Sequence, residues 1–106
     1  MKKYKIILGT KIFSKLENIL DYIANDSPKV AIDIIDGIQS QINSLTTMPE
    51  RFPVVPENIS YKNHIKIRHC FYKKSFRIIY LIHQDKVRIL DIRHSMQDKI
   101  NYGDIA

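Results

Sequence analysis

The sequence predicts an α+β fold of two layers, in which a helical hairpin packs on a mainly antiparallel sheet in the order β-α-α-β-β-β. Apolar residues recur at helical spacing in two consecutive segments between residues 10 and 46. Residues 68–94 instead resemble three strands joined by two tight turns. The 106-residue chain is most simply one domain, residues 1–106, long enough to bury a core.

The first strand and the first helix are predicted from residues 4–25. Tyr4, Ile6 and Leu8 alternate with lysines and lead to Gly9, after which Thr10 is the expected N-cap. The helix that follows has one apolar face, formed by Ile12, Phe13, Leu16, Ile19, Leu20 and Ile23.

The second helix has a stronger start signal. Ser27 provides a capping hydroxyl, and Pro28 occupies the first helical position, where its missing N–H costs nothing. Because the linker is only Asp26 and Ser27, the two helices must fold back as an antiparallel pair. The second helix is expected to end near Thr46, with an apolar face formed by Ala31, Ile34, Ile35, Ile38, Ile42 and Leu45.

Residues 48–56 contain three prolines, which predicts a stiff, extended connector that crosses the surface. The sheet resumes near Tyr61, and the apolar run of residues 76–83 is expected to be a central strand. Residues 95–102 are a candidate for a short terminal helix.

The orientation of three side chains depends on the two turns. If residues 73–74 and 84–85 form two-residue turns, Arg77 lies opposite Cys70 and Ile92, and Ser75 lies opposite His94. Arg68, Arg77 and His94 then share one face. Neither turn has a sequence signal that fixes its length, and a one-residue change exchanges the faces. The shared face would be basic and open, and it would also carry Lys66, Ser75 and Arg88. The opposite, core face would carry Ile65, Ile67, Phe71, Phe76, Ile78, Ile82, Val87 and Ile89.

The positive charge is concentrated in the strand segment. The chain has a formal net charge of +6, and residues 60–94 hold nine Lys/Arg against two Asp/Glu. Such a surface favours an acidic partner, either nucleic acid or an acidic peptide. A basic surface with no specific partner is the alternative.

Composition also limits the kind of protein. No apolar run approaches the roughly 20 residues that span a bilayer, and the N-terminus lacks a signal-peptide pattern, so a cytoplasmic protein without membrane contact is expected. The lone Cys70 excludes an internal disulfide and leaves no zinc-type cluster. We therefore expect neither a metal nor another cofactor.

The order and spacing of several segments resemble the RelE/ParE toxin superfamily of bacterial type II toxin–antitoxin systems, also known as plasmid stabilisation proteins. The resemblance covers essentially the full length. It rests on Leu16, Ile19, Tyr22, Ile23 and Ala24 in the first helix, on Ser27-Pro28 and Ala31, on Pro49-Glu-Arg-Phe-Pro53, on Arg68, on Phe76-Arg-Ile-Ile-Tyr80 and on Val87-Arg-Ile-Leu-Asp-Ile-Arg-His94.

The resemblance implies a growth-inhibiting toxin held inactive by a cognate antitoxin. Operator DNA would be a partner only through that antitoxin. The superfamily divides into mRNA interferases, which cleave messenger RNA on the ribosome, and a ParE-like branch, which inhibits DNA gyrase. A toxin-like fold that has decayed into a binding module is a further alternative.

The ribonuclease alternative assigns a role to each of three residues. Arg68 and Arg77 would hold the phosphate, and His94 would transfer a proton, without a metal. Arg68 and His94 fall near the positions of a catalytic arginine and a His-Tyr pair in one similar nuclease group. Ser95 departs from that group, which has tyrosine at this position.

The ParE-like alternative is favoured, because residues 94–98 and Arg68-His-Cys70 are similar to that branch. Whether the protein is an enzyme is therefore left open. Under either alternative the expected cations for antitoxin or target binding are Lys66, Arg68, Arg77 and Arg88.

Each candidate also has a structural interpretation. Arg77 could bind a buried carboxylate within the sheet, Arg68 could serve only as the antitoxin's acidic anchor, and His94 could fix the tail at a strand end. Asp91 requires a partner, either Arg93 or a helix donor. Cys70 is expected to be a packed residue and not a nucleophile. The remaining histidines are expected to be solvated or at a sheet edge, namely His64, His69 and His83.

Overall fold

The structure is a computed structural model that describes residues 2–57 and 59–94. The terminal helix predicted for residues 95–102 lies outside the described residues. Two helices pack on a five-stranded sheet of order β1-β5-β4-β3-β2, in which β1 runs parallel to β5 and the other pairs are antiparallel. The predicted α+β fold is therefore confirmed, with one additional short strand. The elements are β1 (Lys5–Leu8), α1 (Thr10–Ala24), α2 (Pro28–Asn43), β2 (Ser60–Tyr61), β3 (Ile65–Tyr72), β4 (Phe76–His83) and β5 (Lys86–His94).

The helical hairpin begins and ends close to the predicted residues. The Ser27 hydroxyl accepts a hydrogen bond from the Val30 N–H at 3.3 Å, and Pro28 is the first residue of α2, as predicted. A 3₁₀ turn over Ser44–Thr46 continues α2 to the predicted end. The N-cap of α1 is Gly9 and not Thr10, because Thr10 already has helical geometry. Neither helix is long and apolar enough to cross a bilayer, within the residues described.

The main core lies between the helices and one face of the sheet, here called the helix side. The helices contribute Ile12, Leu16, Ile38 and Ile42 to this core. Gly37 permits close packing, because a Cβ at this position would lie 2.1 Å from the Tyr72 ring. The sheet contributes Cys70, Phe76, Ile78, Tyr80, Val87, Ile89 and Ile92.

A smaller core occupies the opposite face of the sheet, here called the second face. The connector, which continues through Glu57 in the structure, reaches it by passing around the edge of β3. There Val54 bridges Arg68, and the Val55 N–H donates to the Ile67 carbonyl at 2.9 Å. The connector is not extended throughout, since Pro49–Arg51 form a 3₁₀ turn. The buried residues of this second core are Val55, Ile67, Ile79, Leu81 and Leu90.

The first hairpin turn is one residue longer than predicted. Tyr72 pairs with Phe76, so residues 73–75 form the loop, and Lys73 and Lys74 adopt positive φ angles of 52° and 60°. Arg77 consequently lies opposite Phe71 and not Cys70. The prediction failed because neither lysine signals the left-handed conformation that both adopt.

The second turn has the predicted length, but a bulge follows it. His83 pairs with Lys86 across a two-residue turn, and the register then shifts between Ile79 and Tyr80. Because the bulge inserts one residue into β5, Arg77 lies opposite Arg93, and His94 lies opposite Phe76. The predicted pairing of Arg77 with Ile92 is therefore wrong, and so is that of His94 with Ser75.

These two shifts separate the three candidate residues. Arg77 points to the second face, whereas Arg68 and His94 pair with Tyr80 and Phe76, which belong to the helix-side core. The predicted common basic face is therefore wrong. The core face was correctly predicted at Phe76, Ile78, Ile82, Val87 and Ile89, but Ile65, Ile67 and Phe71 lie on the second face.

Candidate functional site

Arg77 is engaged by other side chains through all three of its guanidinium nitrogens. Nη1 and Nη2 donate to the two carboxylate oxygens of Glu57 at 2.7 and 2.6 Å, and Nε donates to His69 Nδ1 at 2.7 Å. The side chains of Arg77 and Glu57 are only 12% and 6% exposed. This bidentate pair fastens the connector to the second face. The structural interpretation of Arg77, as a sheet arginine bound to a buried carboxylate, is confirmed.

His69 completes this cluster, although the sequence predicted it to be solvated or at an edge. Its Nδ1 must be unprotonated to accept the hydrogen bond from Arg77. Burial, and then the positive charge of Arg77, lower the pKa of His69, while Glu57 acts in the opposite direction. A neutral imidazole is therefore the form that the fold prefers.

Acidification is expected to destabilise the protein through His69. Because the folded-state pKa lies below the unfolded value of 6.5, the unfolded chain takes up this proton first as the pH falls. The contribution of His69 is fully present above about pH 6.5 and is lost as the pH falls towards the lowered pKa. Urea unfolding at about pH 7.5 and about pH 5.5 measures this loss. The His69→Gln variant should lose less stability than the wild type between the two pH values. An equal loss in the variant and the wild type would contradict the lowered pKa of His69.

Arg68 holds an earlier part of the same connector on the helix side. Its Nη1 donates to the carbonyl oxygens of Phe52 at 2.6 Å and Glu50 at 3.2 Å. Beside it, the buried Tyr80 hydroxyl donates to the Pro49 carbonyl at 2.6 Å. Burial raises the pKa of this hydroxyl, which keeps it protonated and able to donate. Arg68 and Arg77 thus fix the connector from opposite sides of the sheet.

His94 lies at the end of β5, next to a groove on the helix side. Its ring meets the Phe76 ring edge-on, with 5.5 Å between the centroids. The groove has a volume of about 780 Å³ and lies between α1, α2 and the ends of β4 and β5. We call it the helix-side groove, and its lining includes Lys15, Ile19, Tyr22, Ile34, Phe76 and His94.

Asp91 connects β5 to α1 near this groove. Its carboxylate is 3.1 Å from Lys15 Nζ and 3.5 Å from Arg93 Nη1, and it accepts the Ile92 N–H at 2.8 Å. Asp91 is 1% exposed. Both predicted kinds of partner, Arg93 and a helix donor, are therefore present.

Cys70 is packed in the helix-side core, as predicted. It is 1% exposed, and burial raises the pKa of its thiol from 9.0 to about 11. At neutral pH this shift reduces the reactive thiolate about a hundredfold. Among the described residues, no three His, Cys, Asp or Glu side chains are grouped as a metal ion would require.

Alkylation of Cys70 is expected to report unfolding. Iodoacetamide at about pH 7.5 should label the folded chain at least about a hundredfold more slowly than the chain in urea, since burial limits both the thiolate and access to it. The two rates would be followed by mass spectrometry. Similar rates would contradict the burial of Cys70.

The remaining candidate cations also lie on different faces. Lys66 is exposed on β3, two residues from Arg68 and therefore on the same side of that strand. Arg88 is exposed on the second face, where its Nη1 lies 3.3 Å from the Tyr61 hydroxyl. The four predicted binding cations do not form one patch.

Solved structures define the class of fold. The chain is similar to a chromosomal ParDE toxin–antitoxin system from P. aeruginosa, with a TM-score of 0.70 and 17% identity over 87% of this chain and 96% of that one. It is also similar to an archaeal RelE–RelB complex from Pyrococcus horikoshii OT3, with a TM-score of 0.61 and 14% identity over 91% and 99% of the two chains. The fold is therefore one found in toxin–antitoxin systems.

A family comparison narrows this class. The sequence model described as the ParE toxin of the type II toxin–antitoxin system parDE matches residues 6–99. The chain thus belongs to the ParE toxin family, and the resemblance to the RelE/ParE superfamily is confirmed. No curated protein matches the sequence.

Proposed function

We propose that the protein is a cytoplasmic toxin of a type II toxin–antitoxin module that inhibits growth by binding DNA gyrase, without cleaving a substrate, and that a cognate antitoxin neutralises it. The observation that carries this proposal is the separation of Arg77 from Arg68 and His94 by the sheet. Membership of the ParE family also supports the proposal. So does the similarity of residues 94–98 and of Arg68-His-Cys70 to the gyrase-directed, ParE-like branch of the superfamily.

Metal-independent RNA cleavage requires its catalytic groups to surround one phosphate. Arg77 points away from His94, and its guanidinium is already occupied by Glu57 and His69. The Nη1 of Arg68 is bound to two connector carbonyls. These contacts support structural roles for both arginines and favour gyrase binding over the alternative, a ribosome-dependent mRNA endoribonuclease.

The helix-side groove is our candidate site for the antitoxin. It presents apolar side chains between two helices, and Tyr22 at its border is 80% exposed. An amphipathic antitoxin segment that folds on binding could cover these residues and place acidic side chains near Lys15 and His94. Operator DNA would be contacted through the antitoxin.

The test is inducible expression in a bacterial host that carries separate reporters of DNA damage and of translation. We expect early induction of the DNA-damage reporter, intact translation, and trapped cleavage complexes when the purified chain meets gyrase and supercoiled DNA. The matched variant is His94→Ala, which should retain these effects. Cuts in ribosome-bound mRNA that disappear in this variant would contradict the proposal and favour the endoribonuclease. Unaffected growth would indicate that the fold has become a binding module.

A further inference from the structure

A second groove lies on the second face, near the turn between β4 and β5. Its volume is about 490 Å³, which is within the range of ligand sites. Apolar side chains of Ile7, Ile65 and Leu81 line it together with the cationic Lys86 and Arg88. We call it the basic groove.

Like charges meet beside the basic groove. Lys5 pairs with Lys86 across the parallel strands β1 and β5, and Ile7 pairs with Arg88 two positions further along. Like charges directly opposite each other destabilise a sheet. The carboxylate of Asp85 lies 3.9 Å from Lys86 Nζ, and the Asp85 side chain is 67% exposed. Asp85 therefore offsets the repulsion between the two lysines only weakly. An anionic partner would relieve this repulsion.

Tyr61 positions one of these cations. The guanidinium of Arg88 lies 5.6 Å from the centre of the Tyr61 ring, and its Nη1 lies 3.3 Å from the Tyr61 hydroxyl. Lys62 Nζ lies 5.8 Å from the same ring. Two cations therefore already lie over the ring on which a nucleobase would stack, which favours a peptide over single-stranded nucleic acid.

We propose that the basic groove binds an acidic protein segment that carries an apolar side chain. The apolar side chain would contact Ile7, Ile65 and Leu81, and flanking carboxylates would pair with Lys5, Lys86 and Arg88. Because the helix-side groove lies on the other side of the sheet, both grooves can be occupied at once. This proposal does not depend on gyrase and can fail separately from the proposed function.

The test is an NMR titration of the full, isotope-labelled chain with the hexapeptide Glu-Asp-Leu-Phe-Asp-Glu. We expect the largest shifts at Ile7, Leu81 and Arg88. The same peptide with serine in place of leucine and phenylalanine should bind about tenfold more weakly, since it lacks the buried apolar contact. Hexathymidylate should also bind more weakly than the first peptide.

A matched pair of charge variants locates the site. Lys86→Glu/Arg88→Glu should weaken peptide binding about tenfold or more, and it also removes the repulsion with Lys5. Lys73→Glu/Lys74→Glu changes the net charge equally on the exposed turn between β3 and β4 and should retain the affinity within about twofold. Absence of peptide binding, shifts confined to the helix-side groove, equal affinity for the serine peptide or hexathymidylate, or equal losses in both variants would overturn the proposal.

Discussion

The Arg77→Met variant is expected to lose about 3 to 5 kcal/mol of unfolding free energy, because the Glu57 carboxylate would lose the guanidinium that pairs with both of its oxygens. Glu57 is 6% exposed and lies on the connector, where hydration can be regained only by local displacement. The His69 acceptor would lose its donor as well. Urea denaturation of the variant and the wild type measures this loss of unfolding free energy. The slope of the free energy against urea concentration should be the same in both proteins.

Arg88→Met is the matched control for this change. Arg88 belongs to the same sheet, but it is exposed, and its hydrogen bond is to the neutral Tyr61 hydroxyl at 3.3 Å. Its replacement should cost no more than about 1 kcal/mol. If Arg77→Met lowered the unfolding free energy as little as this control, the ion pair between Arg77 and Glu57 would not be what fastens the connector.

Ile78→Ala is expected to cost about 2 to 5 kcal/mol through the cavity that it leaves. Ile78 is fully buried in β4, where it pairs with Cys70 and Ile92 and belongs to the core beneath the helices. The matched control is Ile32→Ala in α2, since Ile32 is 56% exposed and should change stability by less than about 0.5 kcal/mol. Thermal and urea unfolding compare the two. Equal losses would contradict the placement of the core.

The elements could be predicted because their signals are local. Ser27 and Pro28 determine where α2 begins, and the apolar run of residues 76–83 matches β4 in full. Helical spacing in the first half of the chain and strand alternation in the second half were sufficient to predict the two layers and their order along the chain. The family resemblance came from the same segments and was confirmed by the match to residues 6–99.

The site could not be predicted in the same way, because it depends on register. A loop longer by one residue at 73–75 and a bulge between Ile79 and Tyr80 each reverse the faces of the residues beyond them. Lys73 and Lys74 adopt positive φ without the glycine or asparagine that usually marks such a turn. Arg77 was consequently expected beside Arg68, on the wrong face.

Glu57 was missed for a different reason. It lies in an irregular connector, which has no periodicity to show which side chain turns inward. The available signal was Arg77 itself, because an arginine within an apolar central strand requires a carboxylate partner. The contact of His69 with Arg77 could be predicted only from the corrected register. Phe71 lies opposite Arg77, and His69, two residues before Phe71 on β3, shares its face.

The double variant Arg77→Met/Glu57→Leu tests directly whether Arg77 has a structural and not a catalytic role. Replacing a buried ion pair by apolar side chains of similar size is often nearly neutral, so stability should return to within about 2 kcal/mol of the wild type. We predict that this folded variant inhibits bacterial growth as the wild-type chain does. Wild-type growth inhibition that is lost in a stably folded double variant would contradict the account.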